Sequence, residues 1–202
     1  MGLIIGGVSA RDLILDGSSV SLYAGGSPPL KVWPTWETVQ ITLGTGFAAR
    51  DQFRAALTAR GLDYTTITEI PFDIELVGTG EATHLFRGCA ALTTGPELDT
   101  LNVTNMNGMF QDCTNLTSVL PMNTSNVTNA QSMFAYCRSL TSVPPVDAAK
   151  ITNVSYMFVG CLALTDGNAL LINKHPNVNT TGMIGGSGLT REPFFDTAGN
   201  PI

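Results

Sequence analysis

Four cysteines, Cys89, Cys113, Cys137 and Cys161, have the widest chemical repertoire in this chain, as nucleophiles, metal ligands or disulfide partners. They recur at one fixed step, without a slip. Zinc sites pair their ligands two to four residues apart, and this spacing offers no such pair. Stacked repeats would bring equivalent positions to about 4.8 Å, within disulfide reach. The reading adopted is that each cysteine is a small apolar residue filling one slot in successive repeats, with disulfide pairing or a metal as the alternatives. The two histidines, His84 and His175, have no Cys or Ser partner at a spacing that makes a dyad. His84 shares its slot with Gly108, Ser132 and Tyr156, a variable position and therefore one expected to be exposed. Asp51, Glu69, Asp73, Glu75 and Glu81 form no pair whose geometry follows from sequence. Gly185-Gly186-Ser187-Gly188 lacks the lysine of a phosphate loop. The expectation is a protein that is not an enzyme and holds no cofactor or metal.

The elements that position these residues follow from one period. Phe86, Phe110, Phe134 and Phe158 each open the pattern Phe-x-x-Cys-x-x-Leu-Thr, and Leu92, Leu116, Leu140 and Leu164 keep the same step of 24. A fixed period in this range predicts an α/β solenoid, leucine-rich-repeat-like, in which each repeat stacks on its neighbours. The apolar series Val127, Ala130, Met133, Phe134, Cys137 has helical spacing, and Leu140 to Val143, stopped by Pro144-Pro145, is read as the strand. Thr93-Thr94, Thr117-Ser118, Thr141-Ser142 and Thr165-Asp166 then line up as a stacked hydroxyl face, with Tyr136, Arg138 and Tyr156 nearby. Thr117, Ser118, Tyr136, Arg138, Thr141, Ser142, Tyr156 and Thr165 form the expected ligand face. The frequent Asn-x-Ser/Thr triplets are repeat letters, and their asparagines are expected to bond neighbouring backbone rather than carry glycans.

Four segments follow: 1–35, β-rich; 36–69, a small α+β unit; 70–190, the repeats with their caps; and 191–202, a tail. Thr38 to Leu43 alternates as a half-buried strand, and Arg50 to Arg60 reads as a helix facing inward with Phe53, Ala56, Leu57 and Arg60, stopped by Gly61. Tyr64 to Thr68 is β-prone. End repeats should be atypical: Gly182-Met183-Ile184 comes two residues late, and Ser187 stands near the cysteine position. A net charge of −6 with ten scattered Lys and Arg offers no basic patch, which argues against nucleic-acid binding. No run is apolar and long enough to insert in a membrane, and Leu3-Ile4-Ile5 lacks the preceding positive charge of a secretory signal.

The copies Asn102-Val103-Thr104-Asn105 to Leu116 and Asn126-Val127-Thr128-Asn129 to Leu140 resemble the BspA-type leucine-rich repeat. The unit there reads approximately Ser-Asn-Val-Thr-Asn-Met-x-x-Met-Phe-x-x-Cys-x-x-Leu. Ala130 and Val154 depart from its first Met. The resemblance implies a curved solenoid with a binding or adhesive role and no enzymatic activity, a repeat found in bacterial and protist surface proteins and in phage virions. The run Ser21 to Gly26 and Leu30 to Pro34 is similar to the Leu-Tyr-x-Gly-x-x-x-Val-Trp-Pro element of minor tail proteins of actinobacteriophages, with Ser27-Pro28-Pro29 lengthening the gap. It implies docking through Tyr23, Val32, Trp33 and Pro34. The expected function is therefore that of a phage tail-tip protein, assembled in the host cytoplasm and oligomeric in the virion. Its partners would be other tail proteins and a host-envelope glycan or protein. A bacterial surface adhesin or a capsid decoration protein is the alternative.

Overall fold

The computed structural model describes residues 38–169 and 171–195, and the backbone alone of three short strands before them. The chain divides into two compact units, residues 1–39 with 71–73 and residues 40–70 with 74–202. In the first, β1 (Leu13–Leu15), β2 (Val20–Leu22) and β3 (Leu30–Val32) form an antiparallel sheet in the order β1-β2-β3. Leu13 stands opposite Leu22 and Val20 opposite Val32. Of the expected docking residues, Val32 ends β3, whereas Tyr23, Trp33 and Pro34 lie outside the described residues.

β4 (Thr38–Thr42), most of which belongs to the second unit, pairs with β5 (Asp73–Val77), and between them runs the helix α1 (Ala48–Thr58). Ala49, Phe53 and Leu57 recur at the spacing of one helical face and are buried. The helix starts two residues before the predicted Arg50. Its end follows the predicted stop: Gly61 takes φ 67°, Leu62 N donates to Leu57 O at 3.0 Å and Gly61 N to Thr58 O at 3.0 Å. That is a Schellman closure, where glycine alone adopts the left-handed conformation without strain. Tyr64 to Thr68 forms a turn rather than a strand, because Asp63 accepts the N–H and hydroxyl of Thr65, both at 2.9 Å.

From Ala82 onward the chain is stacked turns. Four N–H groups per repeat donate to carbonyls of the next layer: Ala82 to Asn105, His84 to Asn107, Phe86 to Met109 and Gly88 to Gln111, at 2.8–2.9 Å. The set recurs from Met106 and from Ala130. From Val154 it reaches Asn179, Thr181, Met183 and Gly185, so two residues are inserted before the last layer. Within a layer the bonds close three-residue turns, as Ala135 N to Ser132 O (3.0 Å) and Cys137 N to Phe134 O (3.1 Å). The Val-Thr-Asn letters make a second ladder. Val is buried, and Thr128 N and Oγ1 both donate to Thr104 O (2.9 and 3.2 Å). Asn129 Oδ1 accepts Gln131 N at 3.0 Å. Asn105, Asn153 and Asn179 accept in the same way. Of the asparagines that open triplets, Asn153 and Asn179 so bond and Asn126 donates to Leu101 O at 2.9 Å, as expected, whereas Asn115 makes no side-chain bond among the described residues.

The core is a column of rings. Phe86, Phe110, Phe134 and Phe158 stack with centroids 5.2, 5.7 and 5.8 Å apart, and Phe53 of α1 meets Phe86 edge-on at 5.0 Å. Short strands flank it. β6 (Gly80–Glu81) pairs parallel with β7 (Val103–Asn105), and β8 (Val146–Asp147), β9 (Leu171–Ile172) and β10 (Phe194–Phe195) form a parallel sheet in the order β10-β9-β8.

These elements correct the expected fold class, an α/β solenoid built like leucine-rich repeats. Among the described residues the one α-helix lies ahead of the repeats, and the strands are short and fall in separate two- and three-stranded sheets. The predicted repeat helix fails because each layer has two left-handed positions, such as Ser132 (φ 53°) and Tyr136 (φ 62°), which no right-handed helix admits. The spacing i, i+3, i+6 serves successive three-residue turns as well as a helix. The predicted strand at Leu140 to Val143 is also absent, and β8 begins just after Pro144-Pro145.

Candidate contact face

The groups with the widest chemistry are withdrawn from it. All four cysteines are buried free thiols, as the packing reading expects. Cys113, Cys137 and Cys161 donate Sγ–H to the carbonyls of Phe86, Phe110 and Phe134 in the preceding layer, at 3.0–3.1 Å. Burial pushes Cys89 and Cys161 up to about 12, and Cys113 and Cys137 well above the usual thiol range. A thiolate is therefore not accessible near neutrality. His84, expected to be exposed, is half-buried: its ring meets Phe47 edge-on at 5.3 Å and lies on Gly108. Burial lowers its pKa first, then the charge of Arg87, while a hydrogen bond that the ring donates to the Gln111 side chain opposes the shift. No group of three or more His, Cys, Asp or Glu among the described residues is placed to hold a metal.

The predicted hydroxyl face divides. Thr117 Oγ1 donates to Thr93 O (2.9 Å) and Thr141 Oγ1 to Thr117 O (3.1 Å), so these side chains continue the layer-to-layer backbone bonding. Thr93 Oγ1 reaches Thr68 O in the same way at 3.1 Å. Ser118 is half-buried and bridges to Thr94. Thr165 Oγ1 accepts Asn168 Nδ2 at 3.0 Å. Ser142 is exposed. Asp166 is drawn below the usual carboxylate range by bonds from the hydroxyl and N–H of Thr190.

Tyr136, Arg138 and Tyr156 stand differently. Each tyrosine is 44% exposed, Arg138 is exposed, and among the described residues none of the three side chains has a hydrogen bond or ion pair. Leu162, in the layer after Arg138 and at the same slot, is 61% exposed. Tyr136 (φ 62°) and Tyr156 (φ 58°) are held left-handed, which costs a bulky residue roughly 1–2 kcal/mol. Each ring lies on a glycine of the next layer. A Cβ on Gly160 would come within 2.7 Å of Tyr136, and one on Gly182 within 2.5 Å of Tyr156. His84 on Gly108 (2.6 Å) and, more loosely, Tyr64 beside Gly88 (3.5 Å) repeat the arrangement. Sequence reading missed Tyr64 and these glycines. The signal was an aromatic followed by glycine one repeat later, at the regular step for Tyr64, His84 and Tyr136 and at the lengthened last step for Tyr156.

Residues 80–185, just over half of the 202, match the sequence model of a family described as Mycoplasma protein of unknown function, DUF285. That family is associated with BspA-like repeat proteins. No curated protein and no solved structure matches the chain.

Proposed function

The chain belongs to the DUF285 family, and we propose that it is a non-catalytic binding protein of a phage virion, a minor tail protein that displays its repeats to the host envelope. The observation that carries the binding role is a contrast among the expected contact residues. Thr117 and Thr141 turn their hydroxyls into backbone bonds, whereas Tyr136, Arg138 and Tyr156 project without partners in the described chain. Tyrosine and arginine dominate the energetics of protein contacts. The virion placement rests on the similarity of Ser21 to Pro34 to the front element of minor tail proteins, with residues 1–35 as the docking segment and other tail proteins as its neighbours. A second reading, a bacterial surface adhesin, is favoured by the word Mycoplasma in the family description.

The two separate by fractionation. Mass spectrometry of purified particles is expected to find the chain at the low copy number of a tail component. A copy number matching the capsid lattice would mean decoration, and recovery with the cell wall instead of particles would overturn the virion reading. A chain lacking residues 1–35 should remain soluble and fail to incorporate.

A further inference from the structure

The aromatic-on-glycine positions differ in what covers their outer faces. Tyr64, beside Gly88, carries the Arg54 guanidinium 3.9 Å from its ring centroid. His84, on Gly108, is met by Phe47, and Phe47 carries the Arg50 guanidinium at 4.2 Å. Tyr136 and Tyr156, on Gly160 and Gly182, carry nothing: among the described residues no ring or cation lies over either. Tyr64 is closed by Arg54 and His84 by Phe47, which itself lies under Arg50, whereas Tyr136 and Tyr156 have no such cover among the described residues.

We propose that Tyr136 and Tyr156 are cation–π platforms for an arginine-bearing segment of a partner protein, which docks on them as Arg54 docks on Tyr64. Three observations choose this occupant. The chain itself places a guanidinium over Tyr64, whose glycine, Gly88, holds the same slot as Gly160 behind Tyr136. The backing glycine lets each ring lie against its layer, and each tyrosine stays 44% exposed. A net charge of −6 draws a cationic segment toward the molecule. Arg138, two residues past Tyr136, sets a like charge near that platform, so Tyr156 is the stronger of the two. The inference rests on reading this face as a contact surface.

The test is an NMR titration of the full chain with an acetylated Gly-Arg-Gly-Arg-Gly peptide, its citrulline counterpart and a neutral oligosaccharide. Exposed cation–π contacts predict about five- to thirtyfold tighter binding of the arginine peptide over the citrulline one when both platforms act. That preference should vanish in the double variant Tyr136→Leu/Tyr156→Leu and survive in Tyr136→Phe/Tyr156→Phe, both checked for native amide shifts. All variants keep the net charge, so a preference that persists in the leucine variant is bulk attraction and overturns the proposal, as does equal binding of the two peptides. Oligosaccharide binding that is lost in the leucine variant would overturn the arginine occupant while keeping the contact face. If neither peptide nor sugar binds, or neither responds to the leucine variant, the contact-face reading falls with it.

Discussion

At the scale of single residues, the chain places bulky aromatics where L-residues are strained and offsets that strain by packing each ring onto a glycine. Gly160 has two reasons to be glycine, a φ of 70° and the Tyr136 ring where a Cβ would stand. Gly160→Ala should therefore destabilise the protein by about 2 kcal/mol, read as a lower urea midpoint at unchanged slope. In a Tyr136→Ala background the same change should cost only about 1 kcal/mol, because the ring it displaces is gone. Equal costs in the two backgrounds would mean that ring and glycine are not coupled. The pairing of aromatic and glycine was legible in the sequence as a fixed spacing. What covered each ring was not, since Arg54 and Phe47 come from α1 and the loop before it, outside the period.

At the scale of elements, each repeat is held by a few side chains that complete the backbone bonding. Asn129 lies in the ladder and accepts Gln131 N, whereas Asn115 is exposed and no side-chain bond holds it among the described residues. Asn129→Ala should cost about 1 kcal/mol and Asn115→Ala less than about 0.5 kcal/mol by urea denaturation, although both residues open an Asn-x-Ser/Thr triplet or sit beside one. The elements themselves were read unevenly. Helix α1 was legible from Phe53, Leu57 and Gly61, because a helix is specified by neighbours three and four residues apart. The repeat helix was misread for the same reason. Met133, Phe134 and Cys137 keep a spacing that three-residue turns share, and nothing in the letters Ser132 and Tyr136 announces a positive φ.

At the scale of the whole molecule, the cysteine ladder runs through four successive layers and ties stability to pH. A thiol that stays protonated in the folded state while the unfolded chain ionises near pH 8.5–9 contributes stability that is complete below about pH 8.5. With folded values pushed to about 12 for Cys89 and Cys161 and well above the usual thiol range for the two between them, that contribution falls as pH rises above the unfolded value. Each thiol should remove up to about 1.4 kcal/mol per pH unit, so urea midpoints should drop steeply between pH 8.5 and 10.5. Cys137→Ala should make that drop visibly shallower, and an unchanged slope would show that the ladder does not govern it. Sequence alone determined the period of 24, the buried slots of Phe, Cys and Leu, the late last layer and the packing role of the cysteines, because a repeat that cannot bury its apolar side alone must write the same core letters each time. Tertiary structure decided that the layers are turns rather than helix and strand, which hydroxyls are taken up by the backbone, and which aromatic platforms remain open. Those outcomes depend on bonds to carbonyls a whole layer away in the chain and on side chains from outside the repeat, and no local spacing encodes either.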